Sequence, residues 1–262
     1  MITEKEPNIK DKQMISAVHS LKEYRLQPQA GAQYSYRFEA IVGDFANKRR
    51  PVRKAYTREV EIMPVGKQGN IETYQVFTGK ISIKSNISIA DEYLIKQIGY
   101  AFDELEIGVD FKGSIIRVFN MEMLRLRWNK KCLELEEEYE GSYIKNYFRH
   151  IDSVLGNESQ LIEFLSSYKM FGLYFHGLFG KRPLSETPIK RAMVIEDFER
   201  IIVEESIFLD KHEVVKYRIE GASAALEKYE GELIYQDFQL QEAWIKCSNE
   251  TQSISYGALF LG

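Results

Sequence analysis

Residues 34–42 read Tyr34-Ser35-Tyr36-Arg37-Phe38-Glu39-Ala40-Ile41-Val42. Tyr34, Tyr36, Phe38, Ala40 and Val42 alternate with Ser35, Arg37 and Glu39. Side chains of a strand point alternately to two faces, so this period of two predicts a half-buried strand with one aromatic face. Downstream, Asn47–Lys54 (NKRRPVRK) reads as a basic loop containing Pro51. A strand near Tyr56–Met63, a turn at Gly66–Asn70 and a strand near Ile71–Phe77 follow. Ile81, Ile83, Ile87 and Ile89 then share one face of a further strand, with Ser82, Lys84, Asn86 and Ser88 opposite. Consecutive strands joined by short turns pair antiparallel, as a meander. Upstream, Val18, Leu21 and Tyr24 have helical spacing, and Gln27–Gly31 reads as a connection.

The period then changes. Asp91 reads as a helix cap, and Leu94, Ile98, Phe102 and Leu105 fall on one helix face. Ile107, Val109 and Phe111, then Ile115–Phe119, return to strand spacing around the turn Lys112-Gly113. Asn120 is placed to cap a long helix whose apolar stripe is Leu124, Trp128, Cys132, Leu135 and Tyr139, with an acidic run Glu134–Glu140 outside. Gly141-Ser142 and Gly156-Asn157 each end one helix and open the next. The following stripes are Ile144, Tyr147, Phe148, Ile151, Val154 and Leu155, then Leu161, Ile162, Leu165 and Tyr168. After a loop at Arg182–Pro188, period two returns in Ile201–Phe208, Val214–Ile219, Leu233–Tyr235, Ala243–Cys247 and Ile254–Phe260.

Strands (about 34–119), helices (about 120–180) and strands again (about 190–262) predict an α+β fold, not the alternation of a parallel sheet. Neither strand block has a way to cover its apolar face alone. Both are therefore expected in one curved, half-barrel-like antiparallel sheet with the helical block packed on it, a single domain over 1–262.

The 262 residues are 44% hydrophobic and 28% charged, which supports a folded globular chain. The net charge of −4 supplies no general electrostatic reason to bind nucleic acid or an anionic membrane. No apolar run reaches the roughly 18 residues of a membrane-spanning helix, and the polar start MITEKEPNIKDKQM has no signal-peptide core. With two cysteines, Cys132 and Cys247, and no metal-ligand spacing, a reducing cytoplasm without metal or cofactor is the expectation.

Motifs for catalysis are absent. There is no GxSxG, HExxH, Walker A or GxGxxG, and the histidines His19, His150, His176 and His212 form no ligand pair. A dispersed hydrolase site would pair His176 with an acid from Glu196–Glu205, where Glu196, Asp197, Glu199, Glu204 and Glu205 are interleaved with Arg200 like a solvated face. Two features stand out for binding. Lys48, Arg49, Arg50, Arg53 and Lys54 form the strongest local charge, suited to contacting phosphates, to an acidic surface or to making a hairpin soluble. Lys169–Gly180 (KMFGLYFHGLFG) carries too many apolar side chains for an exposed loop and too many glycines for a regular element. It reads as a plug of the core, as a lip over an apolar groove, or as a partner anchor through Phe171, Tyr174, Phe175 and Phe179.

The segment Val109–Trp128 (VDFKGSIIRVFNMEMLRLRW) resembles a run found in uncharacterised, strand-rich bacterial proteins, and that resemblance implies no activity. The strand–helix–strand plan resembles half-barrel lipoprotein-carrier folds in layout, where a curved sheet cups helices. The lack of a signal peptide departs from periplasmic carriers.

The expectation is a non-enzymatic cytoplasmic protein that binds another protein or itself. By analogy it is an adaptor or structural part of a large secretion or tail-like machine, with sheet-edge pairing as a natural mode. A carrier of an apolar small molecule or lipid, and the dispersed hydrolase, are the alternatives.

Overall fold

The computed structural model describes residues 23–26, 28–47, 49–87, 92–183, 188–195, 200–211, 214–224 and 226–262. Tyr34 begins β2 (Tyr34–Asp44), which pairs with β3 (Val52–Gln68), itself paired with β4 (Ile71–Ser85). After α1 (Glu92–Gly99) come β5 (Glu104–Val109) and β6 (Ile115–Val118). The helical block is α2 (Met121–Glu138), α3 (Ser142–Gly156) and α4 (Glu158–Leu165). The second strand block is β8 (Ile189–Ile195), β9 (Arg200–Lys211), β10 (Val214–Ala222), β11 (Lys228–Gln236), β12 (Gln239–Ser248) and β13 (Gln252–Phe260). A separate ribbon pairs β1 (Glu23–Leu26) with β7 (Gly180–Pro183).

Both blocks join one open, antiparallel, eleven-stranded sheet in the order β6-β5-β4-β3-β2-β13-β12-β11-β10-β9-β8. The seam is β2 against β13, from Tyr36 opposite Phe260 to Asp44 opposite Gln252. The α+β expectation holds. Alternation explains the layering: Tyr36, Phe38, Val60, Ile62, Tyr74, Val76, Leu233, Tyr235, Ala243, Ile245, Ile254 and Tyr256 are buried on one face beneath the helical block.

Several local expectations change. Residues 71–85 form one strand, not two, and Ile87 lies beyond its end while Ile89 and Asp91 fall outside the described residues. Tyr74, Val76 and Thr78 face the core at even positions, but Ile83 does so at an odd one. The cause is a bulge: Val60 opposes Thr78 and Glu59 opposes Lys80, so Gly79 is unpaired and the side-chain parity flips. The helix expected through Leu105 stops at Gly99, continues as a single 3-10 turn (Tyr100–Phe102), and gives Leu105 to β5. Asn120 does not cap α2. Its Oδ1 accepts from the Glu106 N–H (3.0 Å) and its Nδ2 donates to the Glu104 carbonyl (2.9 Å), fastening α2 to β5. Asn157 does cap α4, accepting from Ser159 and Gln160 N–H groups. Tyr24 is in β1, and Val18 and Leu21 lie outside the described residues.

Candidate functional site

Past the end of α4 the chain makes a series of tight turns instead of another helix. The Phe171 N–H donates to the Leu165 carbonyl (3.1 Å), the Gly172 N–H to the Ser167 carbonyl (3.0 Å) and the Phe175 N–H to the Phe171 carbonyl (2.9 Å). Only glycine fits at 172, because a Cβ there would lie 2.1 Å from the Ser166 carbonyl oxygen. These turns drive the aromatic stretch into the sheet. Phe171 meets Phe38 edge-on at 5.5 Å, Tyr174 meets Tyr36 at 5.1 Å, and Phe175 meets Tyr74 at 5.3 Å. Edge-to-face packing at these separations is the favoured arrangement of aromatic rings.

This corrects the anchor expectation. Phe171, Tyr174, Phe175 and Phe179 are 0%, 1%, 3% and 5% exposed, so they plug the core, and of the four Phe175 also borders the cavity described below. Arg49, Arg50 and Arg53 are exposed at the β2–β3 connection, far in sequence and in role from the plug; Lys48 lies outside the described residues. Burial pushes the phenols of Tyr36, Tyr74 and Tyr174 well above their ordinary pKa, so all three stay neutral.

His176 lies on the wall of the cavity described below. It is buried, and its Nε2 sits against the Tyr235 hydroxyl. The acids proposed to serve it fall outside the described side chains, Glu196, Asp197 and Glu199 entirely. His19 and His212 also lie outside the described residues, and His150 is exposed on α3. Among the described residues no cluster of His, Cys, Asp or Glu is placed to hold a metal. Burial, with Glu136 and Asp152 behind it, pushes the Cys132 thiol up to about 11, which makes it a poor nucleophile at neutral pH.

What the plug does create is a cavity of about 570 Å³ between α3, α4 and β8. Its apolar part is Val154, Phe164 and Phe175, and its polar walls include Ser166, Ser167 and Arg191. Arg191 is held in place: its Nη1 donates to the His176 carbonyl (2.6 Å) and its Nη2 to the Tyr168 hydroxyl (2.6 Å). Arg191, Ala192 and Met193 all border the cavity. All three belong to β8, the last strand of the sheet. β8 pairs with β9 on one side only, and among the described residues no strand covers its other edge. At the opposite end of the sheet, the Val118 N–H of β6 donates to Glu158 Oε1 on α4 (3.0 Å). Sequence reasoning missed the edge and the cavity because both depend on which strand ends the sheet, which periodicity does not encode.

No family model and no curated protein matches the chain. Among solved structures, one titled "Lipid-protein interactions in lipovitellin" is similar at 10% identity and a TM-score of 0.43, covering 90% of this chain and 26% of that one. A likeness at that level carries no functional information. No described helix is long and apolar enough to cross a membrane.

Proposed function

We propose that this chain is a non-enzymatic protein-binding component that captures an extended segment of a partner along the outer edge of β8. One observation supports the reading above the others: among the described residues the eleven-stranded sheet ends on β8, which pairs with β9 alone, and Arg191, Ala192 and Met193 of that strand border a cavity of about 570 Å³. A free edge presents a row of N–H and C=O groups to any chain that lies alongside. In strand addition the main chain supplies affinity, and pockets for alternate side chains supply selectivity. Here the pocket combines an apolar floor with hydroxyls and a fixed guanidinium, which suits a large side chain with a polar end.

The carrier alternative is less well supported, since the buried face of the sheet is filled by this chain's own aromatic stretch. The test is selection of linear peptides on the intact chain, followed by hydrogen exchange on the complexes. Enriched peptides are expected to protect amides of Ile189–Ile195. Ala192→Lys, at an exposed position on that strand, is expected to weaken them about tenfold or more. Protection elsewhere, or binding indifferent to Ala192→Lys, would overturn the reading, and co-purification of a bound small molecule in the cavity would favour a carrier.

A further inference from the structure

On either side of Lys48, the described residues of the β2–β3 connection are held by hydrogen bonds. Asp44 Oδ1 accepts from the Ala46 N–H (2.9 Å), Asn47 Oδ1 from the Arg49 N–H (3.1 Å), and the Asn47 carbonyl from the Arg50 N–H (3.0 Å). Asn86, just past β4, locks onto the start of β3. Its Oδ1 accepts from the Arg53 N–H (2.8 Å), its Nδ2 donates to the Pro51 carbonyl (2.8 Å) and its N–H to the Arg53 carbonyl (3.2 Å). The Phe45 N–H donates to the Thr251 carbonyl (2.7 Å), which adds the β12–β13 turn to the same rim.

On this fixed tip, exposed Arg49, Arg50 and Arg53 stand among two exposed apolar side chains, Phe45 (42% exposed) and Ile87 (47%). The Phe45 ring lies against Gly43, where a Cβ would fall 2.8 Å from the ring's Cζ. Lys54 and Lys84 carry the positive charge onto β3 and β4, against Asp44 and Glu250 at the same rim.

We propose that this tip docks the protein on the surface of an anionic lipid bilayer, with Phe45 and Ile87 at the headgroup level and the arginines on lipid phosphates. Solubility alone accounts for the arginines and not for the apolar pair. A partner recognised only by phosphate gains nothing from isoleucine. Interfacial binding uses both, adding buried apolar area to attraction by anionic headgroups. Guanidinium groups also pair with phosphate oxygens in a bidentate way that ammonium groups do not. The chain's net charge of −4 does not oppose this, because charges more than about 10 Å from the surface are screened at ordinary salt.

The test is flotation of the full chain with vesicles of phosphatidylcholine alone or mixed with phosphatidylglycerol, at low and high salt. Binding to the mixed vesicles only, weakened by salt, is expected. Arg49→Glu/Arg50→Glu is expected to weaken it about thirtyfold or more, and Phe45→Ser/Ile87→Ser at least about tenfold, with unchanged circular dichroism in both. Absence of binding to the anionic vesicles at low salt overturns the proposal. So does binding that Phe45→Ser/Ile87→Ser leaves intact, or equal affinity for heparin that only the arginine variant reduces, which would mean a polyanion contact. Neither variant touches β8, so peptide capture there and bilayer docking here succeed or fail separately.

Discussion

At the level of single side chains, two residues are placed against their own chemistry. The Tyr174 hydroxyl is buried with no hydrogen-bond partner among the described residues, and a buried unsatisfied polar group costs about 1–3 kcal/mol. Tyr174→Phe keeps the ring contacts with Tyr36, Phe175 and Phe179 and removes the orphan, so urea denaturation is expected to show equal or higher stability. Phe238 turns the β11–β12 hairpin at φ 66° beside Asp237 at φ 51°, in a turn that ordinarily takes Asn-Gly or Asp-Gly. Phe238→Gly is expected to raise stability by about 1 kcal/mol. Cys132 supplies the pH dependence. With its thiol pushed up to about 11, the reactive thiolate is scarcer at about pH 8 than in an ordinary cysteine of pKa ~8.5. Iodoacetamide is expected to label the folded chain slowly, faster as pH climbs towards 11, and at the ordinary rate in urea; fast labelling in the native state would contradict the burial. The apolar character of Phe171–Phe179 was legible in the sequence, but its direction was not. Aromatic content says that a surface must be covered, not whether the cover comes from the same chain.

Elements were legible wherever a regular period ran unbroken, as in Tyr34–Val42 or Ile254–Phe260, and misread where backbone geometry broke it. Gly79 is the clearest case. Read as a sequence, the flip from Tyr74, Val76 and Thr78 to Ile81 and Ile83 suggests two strands; the bulge lets one strand serve the core on both sides of the flip. Its role is to add one residue, and its lack of a side chain matters little, since a Cβ there would meet nothing closer than 3.9 Å. Gly79→Ala is therefore expected to change stability by no more than about 1 kcal/mol. Deleting Gly79 instead shifts the register by one residue and turns Ile81 and Ile83 outward. Loss of near-ultraviolet circular dichroism in the deletion but not in the substitution would identify parity as what the bulge provides. A deletion variant that folds normally would refute it.

For the whole molecule, the order strand–helix–strand predicted the layers, but not the seam that makes the two strand blocks one sheet. Tyr36 and Phe260 oppose each other across β2 and β13, and no local pattern announces a pairing between residues so far apart in sequence. The seam has a consequence for cooperativity. The aromatic plug touches β2 through Phe38 and Tyr36, β4 through Tyr74 and β11 through Tyr235, so both blocks and the helices share one core. The chain carries two tryptophans, one in each layer. Trp128 is buried on α2, its Nε1 donating to Asp152 Oδ1 (2.6 Å), and Trp244 lies in β12. Trp244→Phe leaves a reporter of the helical block, and Trp128→Phe leaves one of the sheet. If the core is shared, each variant's fluorescence transition in urea coincides with its own far-ultraviolet circular dichroism, as two-state unfolding requires. The Trp128→Phe variant is expected to be less stable by about 1–3 kcal/mol, because the Asp152 carboxylate loses its donor and the core some volume. A sheet that outlasts the helical block, seen as Trp244 fluorescence persisting after most of the helical signal is lost, would mean that the plug is a separable unit docked on the sheet.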